Sequence, residues 1–266
     1  MSTSRPVNRL RSSAPQPASP PSGRSPRVGS PVRHRPWLVW VGRLLAKLVV
    51  LAFLISFGWV ALLKYLPVSI TPLMIARKLE AKADGQDSKL YKDWTPYEEI
   101  SKEAALAVVA SEDQAFPEHW GFDFDEIQDA IKENKTRKRL RGASTISQQV
   151  AKNVFLWNGR SYLRKGLEVY FTFLIELIWG KERILEVYLN VAETGPLTFG
   201  VEAASRRYYG HSAKTLTRTE AARIAAVLPN PRLFSIKKPS AYIEKRTRQI
   251  SRQMRYLGGR RYLENL

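Results

Sequence analysis

Residues 98–123 read EEISKEAALAVVASEDQAFPEHWGFD. An apolar run with the look of a core helix stops on two adjacent carboxylates, Glu112 and Asp113, and then meets Pro117, His119 and Gly121. On local grounds a solvated helix end accounts for this equally well. A carboxyl held among apolar neighbours, however, has its pKa raised toward the range of a general base, while nearby cations pull it back. Which description applies depends on what the rest of the chain brings to Glu112.

The surrounding sequence reads as helix after helix. Thr95, Pro96 and Glu98 form a capping-box pattern with Pro at the first helical position, which predicts that this helix opens at Thr95 and ends near Glu112. Asp123 with Glu126, Thr145 with Gln148, and Thr217 with Glu220 repeat the same three-residue signal, and Ser161 and Ser240 precede two further helical patterns. Gly180, Gly195 and Pro229 mark stops. Alternating strand patterns and internal repeats are lacking, so the predicted class is all-α.

Charge narrows the partner. The chain has 43 Lys and Arg against 24 Asp and Glu, a net charge of +19, and this calls for nucleic acid, anionic lipid or a phosphorylated substrate. Ten of the cations and a single acid, Glu133, fall between Lys132 and Lys165. Arg160, Arg164 and Glu168 follow at i, i+4 and i+8, and share a face if the helix begins early enough. A solvated basic face with an ion pair explains that spacing on its own. The absence of Cys excludes disulfide and thiolate chemistry, and three scattered His, at 34, 119 and 211, offer no zinc set.

The N-terminal third decides among the anionic partners. Residues 1–36 contain eight Pro, eight Ser, seven Arg and no acid, a composition that cannot bury enough surface to fold, and they read as a disordered basic tail. The stretch from Leu44 to Leu63 contains 20 residues and one charge, Lys47; at about 1.5 Å per residue it matches a bilayer core. Residues 37–65 therefore read as an uncleaved anchor. The cationic flank before it predicts a cytoplasmic N-terminus and an extracytoplasmic remainder, made of a membrane-proximal linker over 66–94 and a domain over 95–266. An anchored domain in that compartment rarely meets nucleic acid, and the topology favours a phosphorylated, membrane-borne substrate.

Several residues could carry chemistry on such a substrate. The polar segment RGASTISQQ (141–149) enters a helix and can bind an anion through free backbone N–H groups, or can simply be a cap. Glu112 and Glu168 could act as paired carboxylates in the manner of a glycosidase. Asp123-Phe124-Asp125 reads more simply as a cap than as a metal motif, and Ser235-x-x-Lys238 as a chance match to an acyltransferase motif.

Taken together and in order, EDQAFPEHWGFD (112–123), RGASTISQQVAKNVFLW (141–157), RKGLE (164–168), KERILEVYLNVAETG (181–195) and EAARIAAVLPNP (220–231) resemble the motifs of the peptidoglycan glycosyltransferases. The resemblance covers about 95–257, and with one anchor and no penicillin-binding domain the chain is similar to the monofunctional branch of that family. It implies a lysozyme-like helical fold with a head and a jaw flanking a cleft, and polymerisation of glycan chains from lipid II in the inner membrane, without transpeptidase activity. Glu112 would be the base on the acceptor hydroxyl and Glu168 the second acid, orienting cations or helping a metal or pyrophosphate leave. Lys152 and Arg160, with Arg164 and Lys165 close by, would hold the donor pyrophosphate. Asp113 would help hold the cleft, and Ser144, Thr145, Gln148 and Gln149 would line the donor side. Glu186, Tyr188 and Asn190 would be mainly structural. Ala143 departs from the Gly of many relatives. The resemblance requires no resident cofactor and leaves a divalent cation open; its partners would be lipid II, the growing glycan, the membrane and cell-wall synthesis or division proteins. A lytic transglycosylase and a non-catalytic lipid-binding scaffold are the rival readings.

Overall fold

A computed structural model describes residues 36–136, 142–159, 161–264 and 266. By packing, the chain divides into residues up to Leu48 and a unit from Val49 to Leu266. The anchor segment is one helix, α1 (Pro36–Leu63). Its stretch Val39–Leu63 is long and apolar enough to cross a membrane, and only 6% of its most apolar window is buried, which sets it apart from a core helix of a soluble domain. The predicted disordered tail over 1–36 lies almost wholly outside the described residues.

The larger unit holds the remaining helices: α2 (Pro72–Ala83), α3 (Lys102–Glu112), α4 (Phe124–Asn134), α5 (Ile146–Phe155), α6 (Tyr162–Ile178), α7 (Lys181–Val191), α8 (Val201–Tyr208), α9 (Arg218–Val227) and α10 (Ala241–Tyr256). Their starts follow the local signals. Asp123, Ser161 and Ser240 each accept the backbone N–H three residues on, and Thr145 with Gln148 and Thr217 with Glu220 form complete capping boxes. Ser235 accepts from Lys238 N–H in a local turn.

Helix α3 is the exception. It is capped by Ser101, whose Oγ accepts Glu103 N–H, and the predicted opening at Thr95 instead leads into a short 3₁₀ turn, Tyr97–Glu99. Thr95 is committed elsewhere: its N–H donates to Asn190 Oδ1 at 2.8 Å and its carbonyl accepts from Asn190 Nδ2. A buried tertiary pair has overridden the local pattern.

From Glu103 to Ala110 every residue of α3 is buried, because small Ala and Val side chains allow neighbours to close on all sides. Helices α7, α9 and α10 pack around it, and α5 packs on α6 and α7. A small three-stranded sheet, which no alternating pattern in the sequence predicts, is also present. Its strands, β1 (Tyr91–Lys92), β2 (Glu193–Gly195) and β3 (Thr198–Phe199), lie in the order β1-β3-β2, parallel on one side of β3 and antiparallel on the other. Among the described residues the architecture is otherwise helical, as predicted.

The C-terminal part of α1 belongs to this unit. Ser56 Oγ and the Tyr170 hydroxyl are 2.7 Å apart, and Trp179 Nε1 donates to Val60 O at 2.7 Å. Arg183 then donates to the carbonyls of Leu63 and Leu66. The end of the apolar helix is thus fixed to α7 and to α6, the helix that carries Arg164 and Lys165.

Candidate active site

Glu112 is the last residue of α3, and it opens onto a cleft of about 660 Å³ whose walls include Asp113, Ser144, Gln149, Arg246 and Gln253. Its Oε2 accepts from Gln149 Nε2 at 3.0 Å. Gln149 Oε1 in turn accepts from the buried Tyr188 hydroxyl at 3.2 Å, so a relay of fixed dipoles orients the carboxylate. Burial pushes the Glu112 carboxyl pKa up; the Gln149 hydrogen bond and the positive charge of Arg246 act against that shift.

Beyond Glu112 the chain turns away under close control. Asp113 is buried: its Oδ2 accepts the backbone N–H of Ile146 at 2.9 Å, at the first turn of α5, and its Oδ1 meets His119 Nε2 at 2.9 Å. A carboxylate on a helix N-terminus is electrostatically favourable there. Gly121 takes φ +77°, and a Cβ at that position would lie 2.7 Å from Thr172 Cγ2. Lys181 lies over the Phe116 ring at 4.6 Å and bridges His119 O to the Glu176 carboxylate.

The second carboxylate, Glu168 of α6, is buried and doubly bound. Arg164 Nη1 donates to Oε2 at 2.9 Å, and Lys165 Nζ donates to Oε1. The i, i+4 pairing read from the sequence therefore exists for Arg164 and Glu168. Arg160 lies outside the described residues, and α6 starts only after it.

Lys152 projects from α5 and has no hydrogen-bonded side-chain partner among the described residues. Burial lowers its pKa; Glu168 and Glu112 raise it, and Arg164 and Lys165 lower it further. One cation therefore feels both carboxylates, which brings Glu112, Lys152, Arg164, Lys165 and Glu168 into one electrostatic neighbourhood.

The remaining predicted contacts divide. Ser144 is exposed on the cleft wall. Thr145 Oγ1 donates to Gly121 O at 2.7 Å and caps α5, and Gln148 Oε1 accepts Thr145 N–H. Thr145 and Gln148 thus spend their polar atoms on the frame, whereas Gln149 spends its own on Glu112. Among the described residues no group of three or more His, Cys, Asp or Glu side chains is arranged to hold a metal ion.

Comparison with protein families matches residues 79–255 to the Transglycosylase family. The chain belongs to that family. Similar proteins include the Biosynthetic peptidoglycan transglycosylase of Pseudomonas fluorescens (strain SBW25), 54% identical over 207 residues that cover 78% of this chain and 86% of the relative. The protein of the same name from Bdellovibrio bacteriovorus (strain ATCC 15356 / DSM 50701 / NCIMB 9529 / HD100) is 53% identical over 216 residues, covering 81% and 84%.

In this transglycosylase the cleft also takes residues from outside every sequence motif. Arg246 and Gln253 stand on α10, far along the chain from Glu112, in a helix whose Arg and Gln look like ordinary surface residues. Tyr188, mainly structural in the sequence, is buried and donates its hydroxyl to Gln149, which in turn holds Glu112. Only tertiary packing brings these groups to the cleft.

Proposed function

We propose that this transglycosylase polymerises peptidoglycan glycan strands from lipid II. The supporting observation is the pairing of an oriented carboxylate with a shared cation. Glu112 is held by Gln149 at the edge of a cleft, and Lys152 feels both Glu112 and the Glu168 cluster.

The reaction needs a base on one sugar and a counter-charge on the other. Glu112 takes the proton of the acceptor GlcNAc 4-hydroxyl as that oxygen attacks the anomeric carbon of the growing chain. The bond from the anomeric carbon to the phosphate oxygen breaks in the same displacement, so the α-linked donor gives a β-1,4 product by inversion. The electron pair leaves with undecaprenyl pyrophosphate. Lys152, Arg164 and Lys165, joined by Arg160 on the strength of its motif, stabilise the charge that develops there, which is the largest electrostatic contribution available to the site. Glu168 has both oxygens occupied by Arg164 and Lys165, and its part is to fix the direction of those cations.

The anchor fits the same reading. The substrate never leaves the bilayer, and the cation excess before α1 favours a cytoplasmic N-terminus with the catalytic unit on the periplasmic face of the inner membrane. The test is incubation of the full chain, in detergent, with labelled lipid II. A polymer that muramidase degrades, with release of undecaprenyl pyrophosphate, is the expected result. Cleavage of finished sacculi without polymer from lipid II would replace the proposal with a lytic activity.

A further inference from the structure

Among the described residues the walls of the cleft do not include Lys152, Arg164, Lys165 or Glu168. Part of the wall comes from α10. Ile243, Thr247, Ile250 and Met254 form the buried stripe of that helix, and Arg246 and Gln253, seven residues apart, border the stripe on one edge and both reach the cleft.

Each makes a distinct use of that position. Arg246 Nη2 donates to the carbonyl of Ser111 at 3.3 Å, one residue before Glu112, which holds the end of α3. Gln253 is only partly exposed, and its Oε1 is buried with no hydrogen-bond donor among the described residues. A buried acceptor without a donor is costly, and turning the side-chain amide toward the cleft that Gln253 borders lets a donor on a bound molecule relieve that cost.

We propose that α10 forms the acceptor side of the cleft, with Arg246 positioning Glu112 and Gln253 accepting a hydrogen bond from a hydroxyl or acetamido N–H of the incoming amino sugar. This rests on Glu112 as the base. The positive charge of Arg246 also opposes the effect of burial on the Glu112 carboxyl, so it keeps the base ionised at lower pH than burial alone would allow.

The test uses the full chain in detergent with lipid II and compares Arg246→Gln, Arg246→Lys and Gln253→Leu with the wild type. In Arg246→Gln the acid limb of the kcat profile moves to higher pH by about half to one unit, activity recovers on the alkaline side, and Arg246→Lys restores the limb. Gln253→Leu raises KM for lipid II by roughly 5- to 50-fold with kcat within about twofold. A loss uniform across pH in Arg246→Gln, together with an unchanged KM in Gln253→Leu, overturns the inference. Glu112→Gln is run alongside. If it is inactive while the α10 variants behave as the wild type, this inference alone fails; if it is active, the reading beneath the inference fails and takes it along.

Discussion

Asp113 stands next to Glu112 in sequence, but their carboxylates serve different ends: that of Asp113 is bound to Ile146 N–H and His119, and that of Glu112 opens on the cleft. Both residues border the cleft, but the Asp113 carboxylate is spent on the frame while that of Glu112 is held by Gln149. Removing Asp113 leaves a buried N–H at the start of α5 without an acceptor. Asp113→Ala should cost about 1–3 kcal/mol, seen as a lowered melting temperature, with activity falling because the end of α3 shifts. Wild-type melting with weakened lipid II binding would instead put this carboxylate on the substrate.

The relay from Tyr188 through Gln149 to Glu112 makes a graded prediction. Gln149→Leu removes the hydrogen bond that Glu112 accepts. A hydrogen bond to a charged acceptor contributes about 1.5–3 kcal/mol, so kcat near neutrality should fall by roughly 10- to 100-fold, and the acid limb should move up. Tyr188→Phe leaves that bond in place and should have a smaller effect in the same direction. An acid limb unmoved in both variants would separate the relay from the base.

Burial of Glu112 also links activity to stability. Its carboxyl pKa is raised in the folded protein, so between the ordinary carboxylate value and the raised one the folded state binds more protons than the unfolded. Stability therefore declines as pH rises through that window and stays lower above it. Glu112→Gln removes the buried charge and should melt at a higher temperature than the wild type at neutral pH, with the difference vanishing in acid. Equal melting temperatures at neutral pH would mean that the carboxylate is not strained by its setting.

Gly121 is required for space as well as for conformation. Its φ is +77°, and an added Cβ would meet Thr172 Cγ2 at 2.7 Å and Glu176 Cγ at 3.0 Å. Gly121→Ala should cost about 1–3 kcal/mol in thermal or denaturant unfolding. A neutral substitution would show that the loop after Glu112 can rearrange freely.

What the sequence disclosed, and what it withheld, follows from range. The caps at Asp123, Thr145, Ser161, Thr217 and Ser240 were legible because a side-chain oxygen and an N–H three residues away are encoded together. The local pattern puts the start of α3 at Thr95, but Asn190, 95 residues further along the chain, claims Thr95. Two- and three-residue strands are too short for alternation to register. Of the candidate site, the Arg164–Glu168 pair is legible from its spacing, and Glu112, Lys152 and Glu168 are singled out by the motifs in which they stand. Arg246 and Gln253 gave no sign of their place, since nothing local distinguishes them from the solvated Arg of the same helix.

The most direct measurement is glycan polymer formed from labelled lipid II by Glu112→Gln, beside the wild type and with folding checked by thermal melting. The account predicts polymer from the wild type and none from a folded Glu112→Gln. Polymer at the wild-type rate from that variant would contradict it.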